Sequence, residues 1–187
     1  ADIANSALQA LQQYAVFSKV SLTSTDDYCG LGIIGSETKA ALSDTVQLPE
    51  PGCFIDDGEH LVLCHHSDQI EIWCQATKMT DLLKQLAPLP IHASNRLWQL
   101  TTIRRGIAEI EAATVGKLLP QDINFQLVDG ISFDKGCYTG QEIVARLHYR
   151  GQLKKHLYRG MATCDTAPRA GAAIYENEEK QSACGLV

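Results

Sequence analysis

The residues best suited to chemistry are Lys135-Gly136-Cys137-Tyr138-Thr139-Gly140-Gln141-Glu142: one thiol in a turn paced by two glycines, opening onto an amphipathic run. Thr139 and Glu142 have the spacing of a capping box, and Ile143, Val144 and Leu147 recur on one helix face. The spacing therefore predicts a helix beginning at Thr139. Cys137 then lies two residues before the N-cap, where unpaired backbone N–H groups and the positive end of the helix dipole favour an anion such as a thiolate. Lys135 adds a positive charge two residues away that favours the same anion. The alternative is that Cys137 is a small apolar filler beside glycines that only shape the turn.

Downstream lies a second feature. Between Ile143 and Cys164 there is no acidic residue, while Arg146, Arg150, Lys154, Lys155 and Arg159 supply five positives, with His148, His156, Tyr149 and Tyr158 among them. Three readings stay open: a charged surface balancing an acidic chain, a carboxylate site in which Arg146 and Arg150 pair bidentately, or an RNA contact in which the tyrosines stack on bases. With a net charge of −6 the chain is no whole-surface polyanion binder, so the RNA reading ranks below carboxylate binding.

Seven cysteines without a CxxC pair argue against a zinc or disulfide framework. Cys64, His65 and His66 stand together, but a metal needs a third and fourth ligand at useful spacing. Hydrophobic residues at 45% and charged at 20% are ordinary globular composition, and no apolar run has the length of a membrane span. With no signal peptide pattern, a cytoplasmic location is the default expectation.

The elements that must position these groups follow from periodicity. Ile3, Ala7, Leu8 and Leu11 predict a short opening helix; Val16, Val20 and Leu22, then Leu31, Ile33 and Ile34, suggest two strands. Ser36 reads as the N-cap of a helix to about Thr45. Cys53 to Ile55 and Leu61 to Cys64 flank Asp56-Asp57-Gly58 as a hairpin, and Ile70, Ile72 and Cys74 alternate as a further strand. Thr77 is placed to cap a helix carrying Met79, Leu82, Leu83 and Leu86, stopped by Pro88 and Pro90. Ser94 starts another with Leu97, Trp98, Leu100 and Ile103, ending at Gly106; an indole among leucines at helical spacing reads first as core. Leu157 to Cys164 and Ala172 to Tyr175 read as strands, and the chain stops at Cys184-Gly185-Leu186-Val187 inside a returning one, which suggests a fragment. The fold class is α+β, with helices on one side of an antiparallel sheet.

KGCYTGQE, with Gly130-Ile131-Ser132-Phe133 before it and Ile143-Val144-Ala145-Arg146 after it, resembles the signature of the YgfZ family, folate-binding relatives of the glycine-cleavage aminomethyltransferase. The likeness reaches upstream through Gly106 and Trp98, and more weakly to Tyr14 through Val20. It implies an aminomethyltransferase/YgfZ-like fold: a ferredoxin-like subdomain over 1–92, a folate-site subdomain over 93–155 and, over 156–187, the start of a C-terminal β domain that is largely missing. It further implies tetrahydrofolate or another reduced folate as ligand, in a pocket walled by Trp98 and the Lys135 to Glu142 turn, with Lys135, Gly136, Tyr138, Gln141, Glu142 and Arg146 contributing and Cys137 as the functional thiol. The role implied is support of iron-sulfur cluster assembly or repair, with tRNA-modifying enzymes as clients and tRNA as a further partner. Arg104 stands where the aminomethyltransferase pattern places a glutamate, and a guanidinium offers donors but no acceptor to a pterin. The rival readings are a tetrahydrofolate-dependent aminomethyltransferase and a tRNA-contacting module with a vestigial folate site.

Overall fold

A computed structural model of the chain describes residues 2–37, 42–43, 45–87, 90, 94–177 and 182–187. The fold is α+β: among the described residues there are four α-helices, a four-stranded antiparallel sheet and a two-stranded ribbon. Ala10–Trp98 form one compact unit; Ala1–Gln9 with Gln99–Val187 form the other.

The first unit is built on β1 (Tyr28–Ile34), β2 (Cys53–Asp56), β3 (His60–His66) and β4 (Gln69–Gln75), in the order β1-β4-β3-β2. Period-two alternation sends Ile33, Val62, Cys64, Ile70, Ile72 and Cys74 to one face, where they are buried together with Leu42, Val46 and, from α2 (Met79–Gln85) and its C-cap, Leu82 and Leu86. Each fully buried aliphatic side chain of this kind contributes roughly 1.5–3 kcal/mol. Burial also pushes the Cys74 thiol above its ordinary range, and Cys29, its cross-strand partner, pushes the same way. The predicted hairpin is present: β2 and β3 pair antiparallel, and Gly58, at φ +85°, donates its N–H to Asp56 Oδ1 at 2.9 Å. Asp57 Oδ1 accepts from Glu59 N at 2.8 Å and from His60 N at 2.7 Å.

The opposite face of the sheet is organised by two glycines. A Cβ on Gly30 would meet the Trp73 indole at 2.9 Å, and one on Gly32 would meet Trp98 at 2.5 Å. Each tryptophan therefore lies on a glycine.

Local expectations depart from the structure at four places. Val16 belongs to α1 (Asp2–Ser18), and no strand forms before Tyr28 among the described residues. The Ala, Leu and Gln of residues 7–13 propagate the helix past the β-branched positions. It stops where Lys19 turns left-handed at φ 52° and Val20 N–H reaches back to Ala15 O, the six-to-one bond of a Schellman motif. Thr77 does not cap α2, because it is drawn into a 3₁₀ turn, Ala76–Lys78, and Lys78 takes the N-cap without a side-chain bond. Leu157 to Cys164 form no strand; nearly every residue from 151 to 164 is exposed, and no strand pairs with them. The fourth departure, at Thr139, is part of the candidate site. The helix predicted after Ser36 falls largely on residues 38–41 and 44, outside the described set. Ser94 acts as expected, its Oγ accepting from Arg96 N at 3.3 Å as α3 (Arg96–Arg104) begins.

Gly106 ends α3 by the same device as Lys19: at φ 70° its N–H bonds Ile103 O, while Ile107 N–H bonds Thr102 O. In this second unit 3₁₀ turns at Pro120–Ile123 and Phe125–Val128 lead to α4 (Gln141–Arg150). The ribbon pairs β5 (Ala173–Tyr175) with β6 (Ala183–Leu186), as the returning strand predicts.

Candidate functional site

The thiol turn is open. Cys137 is exposed, Gly136 has nothing within 4 Å of where a Cβ would stand, and Tyr138 is half-buried. The helix behind it starts later than the capping-box spacing suggests. Gly140, at φ 87°, is the N-cap of α4 and makes no side-chain cap bond, and Gln141 is the first helical residue. Thr139 is therefore outside the cap position, and Gln141 N–H instead closes on Tyr138 O at 3.1 Å. Only glycine takes this left-handed angle without strain, so Gly140 rather than Thr139 sets how the chain enters the helix. Cys137 stands three residues before that N-cap. Lys135 is committed elsewhere: its Nζ lies 4.8 Å from the centroid of the Tyr138 ring, a cation–π contact.

Along α4, Val144 is buried, Leu147 half-buried, and Glu142, Arg146 and Arg150 exposed. Glu142 sits in the first turn, where a carboxylate complements the dipole, and Arg150 in the last. Glu142 and Arg146 are spaced for an ion pair but make none within 4.0 Å, leaving the guanidinium open to a carboxylate or phosphate. His148 stacks on Phe133 at 3.9 Å and 21°.

Trp98 belongs to the other unit. Its indole rests on Gly32 and meets the His65 ring edge-on at 5.9 Å, and His65 Nε2 lies 2.9 Å from Glu71 Oε2. The neighbouring Cys64 faces the core and donates its thiol to His66 O at 3.2 Å. Among the described residues no group of three or more His, Cys, Asp and Glu is placed to hold a metal ion. Arg104 is exposed at the end of α3, and its carbonyl accepts from Arg159 Nη1 at 3.4 Å.

One feature was not legible in the sequence. A cavity of about 360 Å³ is lined by Gln121, Gln126, Leu147, His148, Leu153 and His156 among others. Gln121 is almost wholly buried, with Nε2 donating to Val144 O at 2.7 Å, and among the described residues neither its Oε1 nor that of Gln126 has a hydrogen-bond partner. No motif marks these glutamines; the only local signal is Pro120, which starts the turn that carries Gln121.

The fold and the turn define an α+β protein that presents an exposed thiol ahead of a basic amphipathic helix. No family model matches the chain. Curated relatives do: it is 36% identical over 171 residues to the tRNA-modifying protein YgfZ of Klebsiella pneumoniae (strain 342), covering 88% of this chain and 51% of that one. It is also 36% identical over 168 residues to proteins of the same name from Yersinia pseudotuberculosis serotype O:1b (strain IP 31758) and Yersinia pestis (strain Pestoides F), with the same shares covered. Over the stretch they share the chain is similar to these YgfZ proteins, and it spans about half the length of the curated relatives it matches. Among the described residues no helix is long and apolar enough to cross a membrane.

Proposed function

We propose that this chain is the folate-binding part of an accessory protein for tRNA modification, acting through support of iron-sulfur enzymes, with Cys137 as its functional thiol. The observation that carries the proposal is the thiol turn: a cysteine exposed between two unencumbered glycines, where a core filler would be packed. An exposed thiol can ligate a cluster transiently, exchange a disulfide or attack a one-carbon unit. The names of the relatives support the link to tRNA.

The residues present suit a reduced folate. Arg146, unpaired on α4, supplies a fork for a glutamate-tail carboxylate; Gln141 and Glu142 supply acceptors for pterin N–H groups; the Tyr138 ring offers an apolar wall, and Gly136 leaves room beside it. Lys135 positions Tyr138 by its cation–π contact. Within the sheet unit, Trp98 is held on Gly32 with part of its indole accessible. In this reading the sheet unit is the ferredoxin-like part of an aminomethyltransferase-like fold.

The test has two arms. Titration with tetrahydrofolate, followed by tryptophan fluorescence, should give saturable quenching that weakens about tenfold in Arg146→Ala and is lost in Trp98→Phe; no quenching in the unchanged chain refutes folate binding here. In cells lacking the protein, a full-length version carrying Cys137→Ala should fail to restore tRNA modification while melting at an unchanged temperature. Full restoration refutes the thiol's role. The aminomethyltransferase alternative predicts turnover with a lipoylated carrier, and Arg104, which offers no acceptor where that pattern has a glutamate, weighs against it.

A further inference from the structure

The thiol turn is a loop whose upstream end is tied to the far end of its own helix. Phe133, which leads into the turn, is half-buried, while every residue from Asp134 to Cys137 is exposed. Its cover comes from α4. The His148 ring stacks on it with centroids 3.9 Å apart and planes at 21°, and the Tyr149 ring meets it edge-on at 6.4 Å. The two helix rings also meet each other edge-on, at 4.7 Å and 82°. A ring held by one stacked and one edge-to-face neighbour has a more closely specified position than burial alone would give it.

Between its two ends the turn has little of its own to hold it. Among the described residues Asp134, Lys135, Gly136 and Cys137 make no backbone hydrogen bond, and the contact of Lys135 with Tyr138 lies wholly inside the turn. The downstream end is fixed by the bond of Gln141 N–H to Tyr138 O and by Gly140 at the N-cap. On the upstream side, the next tie before Phe133 is Gly130, whose N–H bonds Phe125 O at 2.8 Å. His148 stands eight residues along α4 from Gly140, about 12 Å at the helical rise. The seven residues from Phe133 to Gly140 could span roughly 23–25 Å if extended. The segment thus carries about twice the chain it needs, and the slack is folded into the turn that holds Cys137. Where the thiol stands is therefore set by where the two ends are fixed.

We infer that His148 is a positioning residue for Cys137: its stack on Phe133 clamps the upstream end of the thiol turn to the last turn of α4 and so holds the thiol ahead of the helix N-terminus. Without the stack, the tether to Gly140 would run from Gly130 instead of Phe133, ten residues in place of seven, and the slack around Cys137 would grow. An aromatic pair of this geometry shifts an equilibrium by roughly 2- to 10-fold, so its loss should raise the released population of the turn by up to about tenfold. The consequence for activity rests on Cys137 being the functional thiol; the clamp itself does not.

Electron paramagnetic resonance of a nitroxide on Cys137 reads the clamp directly, in the full chain with Cys29, Cys53, Cys164 and Cys184 replaced by serine so that the label goes to Cys137, the buried Cys64 and Cys74 being inaccessible. His148→Ala should raise the mobile fraction of the spectrum severalfold. His148→Phe, which keeps a flat ring for the stack, should return it to that of the unchanged chain. Phe133→Leu, which keeps apolar bulk without a ring, should match His148→Ala. Circular dichroism of each variant confirms that it folds. A His148→Ala spectrum identical to that of the unchanged chain, or a His148→Phe spectrum as mobile as that of His148→Ala, overturns the inference. In cells lacking the protein, a full-length version with His148→Ala should restore tRNA modification poorly and one with His148→Phe should restore it fully. Full restoration by His148→Ala where Cys137→Ala restores nothing likewise overturns the inference. Full restoration by Cys137→Ala refutes the functional proposal instead, and the spectra then decide the clamp.

Discussion

Gly32→Ala tests what seats Trp98. The new Cβ would stand 2.5 Å from Trp98 Cε3 and 2.9 Å from Cζ3, the closer contact about 0.9 Å inside the 3.4 Å at which ordinary packing begins. Gly32 lies in the extended backbone of β1, where alanine is unstrained, and restricting the unfolded chain would alone stabilise by roughly 0.4–1 kcal/mol. Overpacking against a ring costs roughly 1–3 kcal/mol. Trp98 is half-buried, so it yields by lifting off the strand rather than by deforming the core, which places the net destabilisation near 1 kcal/mol. Urea unfolding followed by circular dichroism measures the loss. Emission in a Trp73→Phe background, where Trp98 is the sole tryptophan, should shift red as the indole gains water. In a Trp98→Ala background the same substitution should become neutral or stabilising. Destabilisation of equal size in both backgrounds, or an unchanged emission spectrum, would refute the proposed seat.

Three further outcomes are expected. Under native conditions Cys53, Cys137, Cys164 and Cys184 should alkylate, while Cys64 and Cys74, both buried, resist even at mildly alkaline pH because burial keeps Cys74 protonated; mass spectrometry of labelled peptides reads the pattern. Ile72→Ala, at the centre of the sheet and fully buried, should cost about 2–5 kcal/mol in urea unfolding, with no change in the labelling of Cys137. Asp57→Asn keeps the Oδ1 acceptor and loses only the charge of an exposed group, so it should weaken the hairpin by roughly 0.2–1 kcal/mol at neutral pH. The N–H groups of His60, then Glu59, hold the Asp57 carboxyl below its ordinary value, so its contribution is present above about pH 4 and lost as pH falls through the lowered folded value. The variant should therefore show a shallower fall in stability below pH 4.

Much of the first unit was legible because its signals are local and redundant. The Asp56-Asp57-Gly58 turn, the alternation of Ile70, Ile72 and Cys74, and the stripe of Leu82 and Leu86 each agree with the tertiary packing they enter. Where signals were single, context decided. Thr139 has a capping spacing, but Gly140 adopts the left-handed angle first and takes the N-cap. Thr77 is a good cap residue, yet the 3₁₀ turn incorporates it. Val16 has strand propensity, which a helix already propagating through Leu11 overrides.

The sequence by itself determined the α+β class, the hairpin and the place of the thiol in a glycine-paced turn, because glycine geometry and side-chain periodicity act over a few residues. Only the tertiary structure decided what Trp98 rests on, which cation meets Tyr138, and that Gln121 and Gln126 line one cavity. Those facts depend on residues far apart in the chain, such as Gly32 with Trp98 and Gln121 with Val144, and no short-range pattern encodes how such pairs meet.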